Sequence, residues 1–135
     1  INSSLIFQNT FSLYKYYLNM TAFYYFITCS TCKRIMSDLN LSSIKQIDVK
    51  SIKISENEID LLRYDSGSYE SLFNKRSQLF KKRNLKNKKL SELDYKNLIL
   101  EHYTFLKRPI LIHEKNIFIG NEKKNIDSLK EFLNG

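Results

Sequence analysis

Tryptophan is absent, proline occurs once and glycine three times among 135 residues. That scarcity excludes a collagen-like chain and a linker-dominated one. Cysteine is nearly absent too, and the pair present, Cys29 and Cys32, forms a single C-x-x-C. One pair cannot build a disulfide framework, and a closed zinc site needs four ligands. His102 and His113 lie far from the pair with no metal spacing, so no metal site is expected. No run of about 20 mostly apolar residues occurs, so no membrane-spanning helix is expected. Acids are the scarcer sign, 14 against 22 Lys and Arg, which leaves a net charge of +8. This excess suits an anionic partner, but Lys and Asn abundance along the whole chain gives the same balance without one. What remains is ordinary globular composition, 42% hydrophobic and 27% charged, at the length of one domain. A chain of this size buries roughly two-thirds of its unfolded surface, enough for one core without staples.

Residues 1–19 carry one charge, Lys15, and have no basic n-region or small-residue cleavage site. They are expected to be an upstream or disordered segment ahead of a natural start at Met20, with residues 20–135 a single domain. The alternative is a short aromatic helix bearing Phe7, Phe11, Tyr14 and Leu18 near helical spacing.

Beyond it, Ala22–Ile27 is a short aromatic run that predicts a buried strand. Cys32, Ile35, Met36 and Leu39 then recur at helical spacing, and Ile44–Val49 alternates as a second strand. Ser55 with Glu58 is a capping-box signature opening a helix through Ile59 and Leu62. Short helices are expected over Tyr69–Phe73 and around Leu79–Phe80, and a longer one capped by Ser91 with Asp94. Its stripe reads Tyr95, Leu98, Ile99, His102 and Leu106. Pro109 stops helix formation, and Ile110–Ile112 and Asn116–Ile119 predict a hairpin joined through His113, Glu114 and Lys115. Gly120 ends it, and Ile126, Leu129 and Leu133 mark a closing helix. A parallel pair in front and a hairpin plus helix behind predict an α/β thioredoxin-like fold. Its mixed four-stranded sheet is flanked by helices, with a helical insertion between the βαβ and ββα halves.

The run FITCSTCKR places Cys29 at a helix start, where unpaired N–H groups and the positive end of the helix dipole favour thiolate over thiol. Lys33 and Arg34 add positive charge. A fall in pKa from about 8.5 to about 6.5 raises the thiolate fraction at pH 7 from ~3% to ~75%, a shift of ~2.7 kcal/mol. Cys32, one turn along, falls ~5–6 Å away, within disulfide range. Cys29 is then the attacking thiol and Cys32 the resolving one. The alternative is two buried structural thiols that pack as small hydrophobes.

FITCSTCKR, LFNKRSQLFKK, LILEHYTFLKRPILI and the late FIGN together resemble the arsenate reductase family, across Met20 to Gly135. That family includes glutaredoxin-linked arsenate reductases, small thiol reductases and the Spx transcription regulators. The resemblance implies that Cys29 is the nucleophile and that Arg108 binds the oxyanion, its planar fork suiting arsenate- or phosphate-like groups. It also implies a cis Pro109 facing the cysteine turn. Ser30, Thr31, Lys33 and Arg76 complete the expected oxyanion-binding set. Two further family arginines are replaced: Asn74 stands at one position, with Arg76 nearby as a substitute, and Gly120 and Asn121 mark the other. Related enzymes commonly carry serine where this chain has Cys32, and the second cysteine favours an internal disulfide.

The implied protein is a cytoplasmic, monomeric thiol oxidoreductase with no bound cofactor. Its substrate is a small oxyanion or a disulfide, and its electrons come from glutathione, glutaredoxin or thioredoxin. The alternative is an Spx-like regulator that binds RNA polymerase and uses the same pair as a switch. The acid-free run KRSQLFKKRNLKNKK over 75–89 reads either as an anion- or partner-docking face or as a solvated helix surface. No DNA-reading motif accompanies it, so direct nucleic-acid binding is not expected.

Overall fold

A computed structural model describes residues 20–135; the expectations for residues 1–19 lie outside the described residues. Four strands form one mixed sheet: β1 (Thr21–Tyr25), β2 (Lys45–Asp48), β3 (Ile110–His113) and β4 (Asn116–Ile119). Their spatial order is β2-β1-β3-β4, with β1 parallel to β2 and antiparallel to β3, and β3 antiparallel to β4. The parallel pair is bridged by helix α1 (Ser30–Ser37), and the late hairpin is followed by α5 (Lys123–Asn134). Between the halves lie α2 (Glu56–Ser66), α3 (Gln78–Lys82), α4 (Glu92–Glu101) and three 3-10 turns. This is the expected thioredoxin-like arrangement with its helical insertion.

The period-two pattern of β1 and β3 sorts their side chains onto two faces. Phe23 and Leu111 point into one layer, where Ile35 of α1 and Ile126 and Leu129 of α5 cover them. Ala22, Tyr24, Ile110 and Ile112 point the other way, into the larger core built by Ile59, Leu62, Phe73, Ile99 and Phe105 of the insertion. Phe73 organises this second layer: its ring stacks on Phe105 at 5.2 Å and meets Tyr95 edge-on at 4.9 Å and Phe80 at 5.8 Å.

Local hydrogen bonding fixes the helix starts. Ser55 and Glu58 form a reciprocal capping box, as do Ser91 and Asp94, each pair satisfying two otherwise unpaired N–H groups. Gly67, at φ 92, closes α2 in the left-handed region by returning its N–H to the Arg63 carbonyl.

The stripe through His102 and Leu106 is not one helix. His102 takes an extended φ of −148°, its Nδ1 accepts the Thr104 N–H at 3.2 Å, and a 3-10 turn over Tyr103–Phe105 follows. Leu106 reaches the core by bridging to Phe73 rather than by helical phase. Likewise, Tyr69–Phe73 is a 3-10 turn over Glu70–Leu72, whose last N–H groups bond back three residues. The hairpin turn needs only Glu114 and Lys115, because His113 still pairs within β3.

Candidate active site

Strand β1 ends before an irregular step through Phe26, Ile27 and Thr28, and Cys29 then sits at the N-cap of α1. The Cys29 N–H donates to the Phe26 carbonyl at 3.0 Å, which tightens the strand-to-helix turn. The Cys32 N–H donates to the Cys29 Sγ at 3.3 Å, so the sulfur occupies the place that a serine or aspartate oxygen takes in an ordinary cap. Lys33 N–H is bonded to the Cys29 carbonyl. The Ser30 and Thr31 N–H groups have no acceptor among the described residues.

The two thiols are free and electrostatically unlike. Partial burial pushes Cys29 up, but the Cys32 N–H, the Cys32 thiol and the Arg108 guanidinium together hold it below the usual thiol range. Cys32 is fully buried, and that burial, with the neighbouring Cys29 sulfur, pushes it up to about 12 against the opposing Phe26 amide. The pair therefore sets a thiol biased towards its thiolate beside a partner biased towards keeping its proton. The groups that hold Cys29 down against its burial are Cys32 and Arg108; Lys33 and Arg34 are exposed on α1 and are not among them.

Arg108 reaches this turn because β1 and β3 run antiparallel, which brings the end of one strand beside the start of the other. The Arg108–Pro109 bond is cis, and buried Pro109 takes the Gly120 N–H on its carbonyl at 2.8 Å. The guanidinium lies over the Phe26 ring with Cζ 3.8 Å from its centroid, a cation–π contact worth ~1–2 kcal/mol when partly desolvated. Its Nη1 donates weakly to the Leu106 carbonyl at 3.4 Å, and its Nε is buried without a partner among the described residues.

Cys29 and Arg108 share an open cleft of about 660 Å³ with Thr31, Arg76, Lys107 and Asn121. The structure thus brings together Cys29, Thr31, Arg76 and Arg108 of the expected set. Cys32 lies buried beneath Cys29, and Pro109 is buried rather than lining the cleft. Ser30 and Lys33 depart from the expectation: both are exposed and neither lines it. At 100° per residue they share one side of α1 while Thr31 falls on another. Nor do all N–H groups of residues 30–33 remain available, since Cys32 and Lys33 spend theirs on Cys29.

Asn74 lines the cleft but is committed to the fold: its Nδ2 donates to the Thr104 carbonyl at 3.2 Å and its Oδ1 accepts the Arg76 N–H at 3.1 Å. Gly120, at φ 88, turns the chain so that Asn121 and Glu122 line the cleft at the place where the family resemblance implies a further arginine. Two contributors went unread in the sequence. Phe26 carries Arg108, and the only local signal was an aromatic three residues before the nucleophile. Lys107 adds a second cation beside Arg108, visible as the K-R-P triplet.

His102 and His113 stay out of the cleft. His102 Nδ1 lies 2.7 Å from the Thr104 hydroxyl, and His113 meets the Phe132 ring edge-on at 5.2 Å. Among the described residues no group of three or more His, Cys, Asp or Glu is placed to hold a metal ion, and no helix is long and apolar enough to cross a membrane.

An N-capping cysteine, a buried partner one turn on and a buried cis-proline beside the turn define a thioredoxin-like thiol protein. Residues 24–129 match the ArsC family, and the chain belongs to it. Its fold is similar to that of an arsenate reductase from Vibrio cholerae, with a TM-score of 0.66 at 20% identity over 84% of this chain and 97% of that one. In sequence it is 29% identical over 124 residues to the global transcriptional regulator Spx 2 of Bacillus anthracis, covering 85% of this chain and 94% of that protein. It is also 29% identical over 117 residues to the global transcriptional regulator Spx of Bacillus subtilis strain 168, covering 84% of this chain and 87% of that one.

Proposed function

We propose that the protein is a cytoplasmic thiol oxidoreductase whose Cys29 thiolate attacks an electrophilic centre and whose Cys32 resolves the adduct. The observation that carries this reading is the placing of the two sulfurs: Cys29 caps α1 and lines the cleft with Arg108, while Cys32 lies buried one turn on.

With a disulfide substrate, Cys29 attacks one sulfur, forms a mixed disulfide and releases the other half as a thiolate. Adduct formation removes the negative charge from Cys29, one of the influences that kept Cys32 protonated. Cys32 then loses its proton and attacks the Cys29 sulfur, expelling the remaining half and leaving a Cys29–Cys32 disulfide. Two electrons pass from the cysteine pair to the substrate. With arsenate the first step forms a sulfur–arsenic bond with loss of water. Attack by Cys32 then leaves the electron pair on arsenic, reducing it to arsenite. In either case Arg108 and the Thr31 N–H group hold negative charge in the cleft, with Arg76 also lining it. Glutathione with glutaredoxin, or thioredoxin, returns the pair to the dithiol.

The test is a coupled NADPH assay offering arsenate or a small disulfide, with glutathione–glutaredoxin and thioredoxin systems side by side. Cys29→Ser is expected to abolish turnover, and Cys32→Ser to stop at a covalent adduct visible by intact mass. Full activity in Cys29→Ser would overturn the mechanism.

A second reading is favoured by the relatives named as Spx regulators. Here the same dithiol–disulfide pair switches contact with RNA polymerase. Oxidation-dependent retention on the polymerase α subunit, with no turnover in the coupled assay, selects it.

A further inference from the structure

A second cavity, of about 510 Å³, adjoins the Cys29 cleft and shares Asn74, Arg76 and Arg108 with it. Cys29 does not line it, and neither does any Asp or Glu, whereas Lys82 lines this cavity alone. Its cations differ from their neighbours in the basic insertion. Lys75 is paired with Glu70 at 2.6 Å and Arg83 with Glu101 at 2.6 Å. Arg76 and Lys82 have no carboxylate partner among the described residues.

The wall between them is fixed rather than loose. Ser77, 5% exposed, hydrogen-bonds the Thr104 hydroxyl at 3.3 Å, and that hydroxyl lies against His102 Nδ1. The Thr104 N–H also donates to Nδ1, so that ring nitrogen is an acceptor held by the wall. Arg108 adds a buried Nε with no acceptor among the described residues, an arrangement that is costly for a charged group. Three cations, of which Arg76 and Lys82 are exposed, line one cavity with no acid among them, a lining that suits an anion from outside.

We propose that this cavity is a second anion site that takes a phosphate-class dianion between Arg76, Lys82 and Arg108, and that its occupant competes with Cys29 for Arg108. The regulatory half rests on the proposed use of the Cys29 thiolate; the binding half does not. An anion here neutralises part of the charge that steadies Cys29 and repels the thiolate directly, so both effects lower the thiolate fraction. The same chemistry is offered by free phosphate and by a small phosphomonoester.

The experiment follows alkylation of Cys29 in the reduced full chain by neutral iodoacetamide. Ionic strength is held constant with chloride, and labelling is read by peptide mass spectrometry. Inorganic phosphate and glycerol 3-phosphate are titrated in separate arms, and the stronger response identifies the source. On the acid side of the pH–labelling profile, saturating anion is expected to slow Cys29 labelling about three- to tenfold, the effect there of a shift of half to one pKa unit. In Lys82→Gln the concentration giving half the effect is expected to rise at least about threefold, and in Lys82→Arg to return towards wild type. Identical anion dependence in wild type and Lys82→Gln would mean that the anion acts in the Cys29 cleft, and would overturn the proposal. So would the absence of any anion effect on the wild type. Labelling needs no turnover, so a failed coupled assay and a failed phosphate response are separate results.

Discussion

The unequal thiols impose an alkaline limit on stability that a single substitution removes. Cys32 has a pKa of about 12 in the folded protein against about 8.5 in an unfolded chain. A thiol raised on folding contributes stability that is fully present below the unfolded value and is lost as pH rises towards the folded one. By about pH 10 the unfolded state has released this proton while the folded state keeps it, a loss of ~2 kcal/mol relative to about pH 8. Cys29 works in the opposite sense: held low in the fold, it contributes stability above about pH 8.5 that fades as pH falls through its folded value. Urea unfolding with a phosphine reductant, from about pH 7 to about pH 10.5, reads both limbs. Cys32→Ala is expected to cost ~1 kcal/mol or more at neutral pH for the lost packing, and then to hold its stability where wild type declines. Tyr69 and Tyr95, also raised, decline equally in both proteins and cancel in the difference. Parallel curves for the two proteins between about pH 8.5 and pH 10 would refute the assignment of Cys32 as a buried, proton-holding thiol.

Arg108→Met is expected to shift the pH profile of Cys29 alkylation upward, with Arg108→Lys recovering part of the shift; an unmoved profile would remove Arg108 from the site. Phe26→Leu keeps most of the packing but loses the cation–π seat, and is expected to lower Cys29 reactivity less than Arg108→Met does, measured in the same assay. Phe73→Ala should destabilise the fold by ~3–5 kcal/mol, read from the denaturant midpoint, because four aromatic rings meet at that position. Ser55→Ala should cost only ~1 kcal/mol, since a capping box on an exposed helix start exchanges its hydrogen bonds for water.

Features that depend on near neighbours were readable from the chain alone. Both capping boxes join residues three apart, the period-two runs of β1 and β3 declare their two faces, and Cys29 follows the strand closely enough to mark the turn. The end of α4 was not readable, because an apolar stripe continues through Leu106 although the backbone has already left the helix at His102. Leu106 is apolar for the sake of Phe73, a partner that periodicity cannot see. In the site, the nucleophile and Arg108 were legible through their motifs, but Phe26 beneath the guanidinium was not, because only the sheet pairing brings them together. Ser30 and Lys33 adjoin Cys29 in sequence, but helical phase decides which side chains face the cleft.

The antiparallel pairing of β1 with β3 has a consequence for how the chemistry comes into being. The sulfur belongs to the first half of the chain and its cation to the second, and they meet only along the seam where the two halves are stitched. A fragment holding the first half would keep the local cap on the sulfur but lose the guanidinium. Part of the reactivity at Cys29 is therefore a built-in reporter of completed assembly, added when the last strands close against the first.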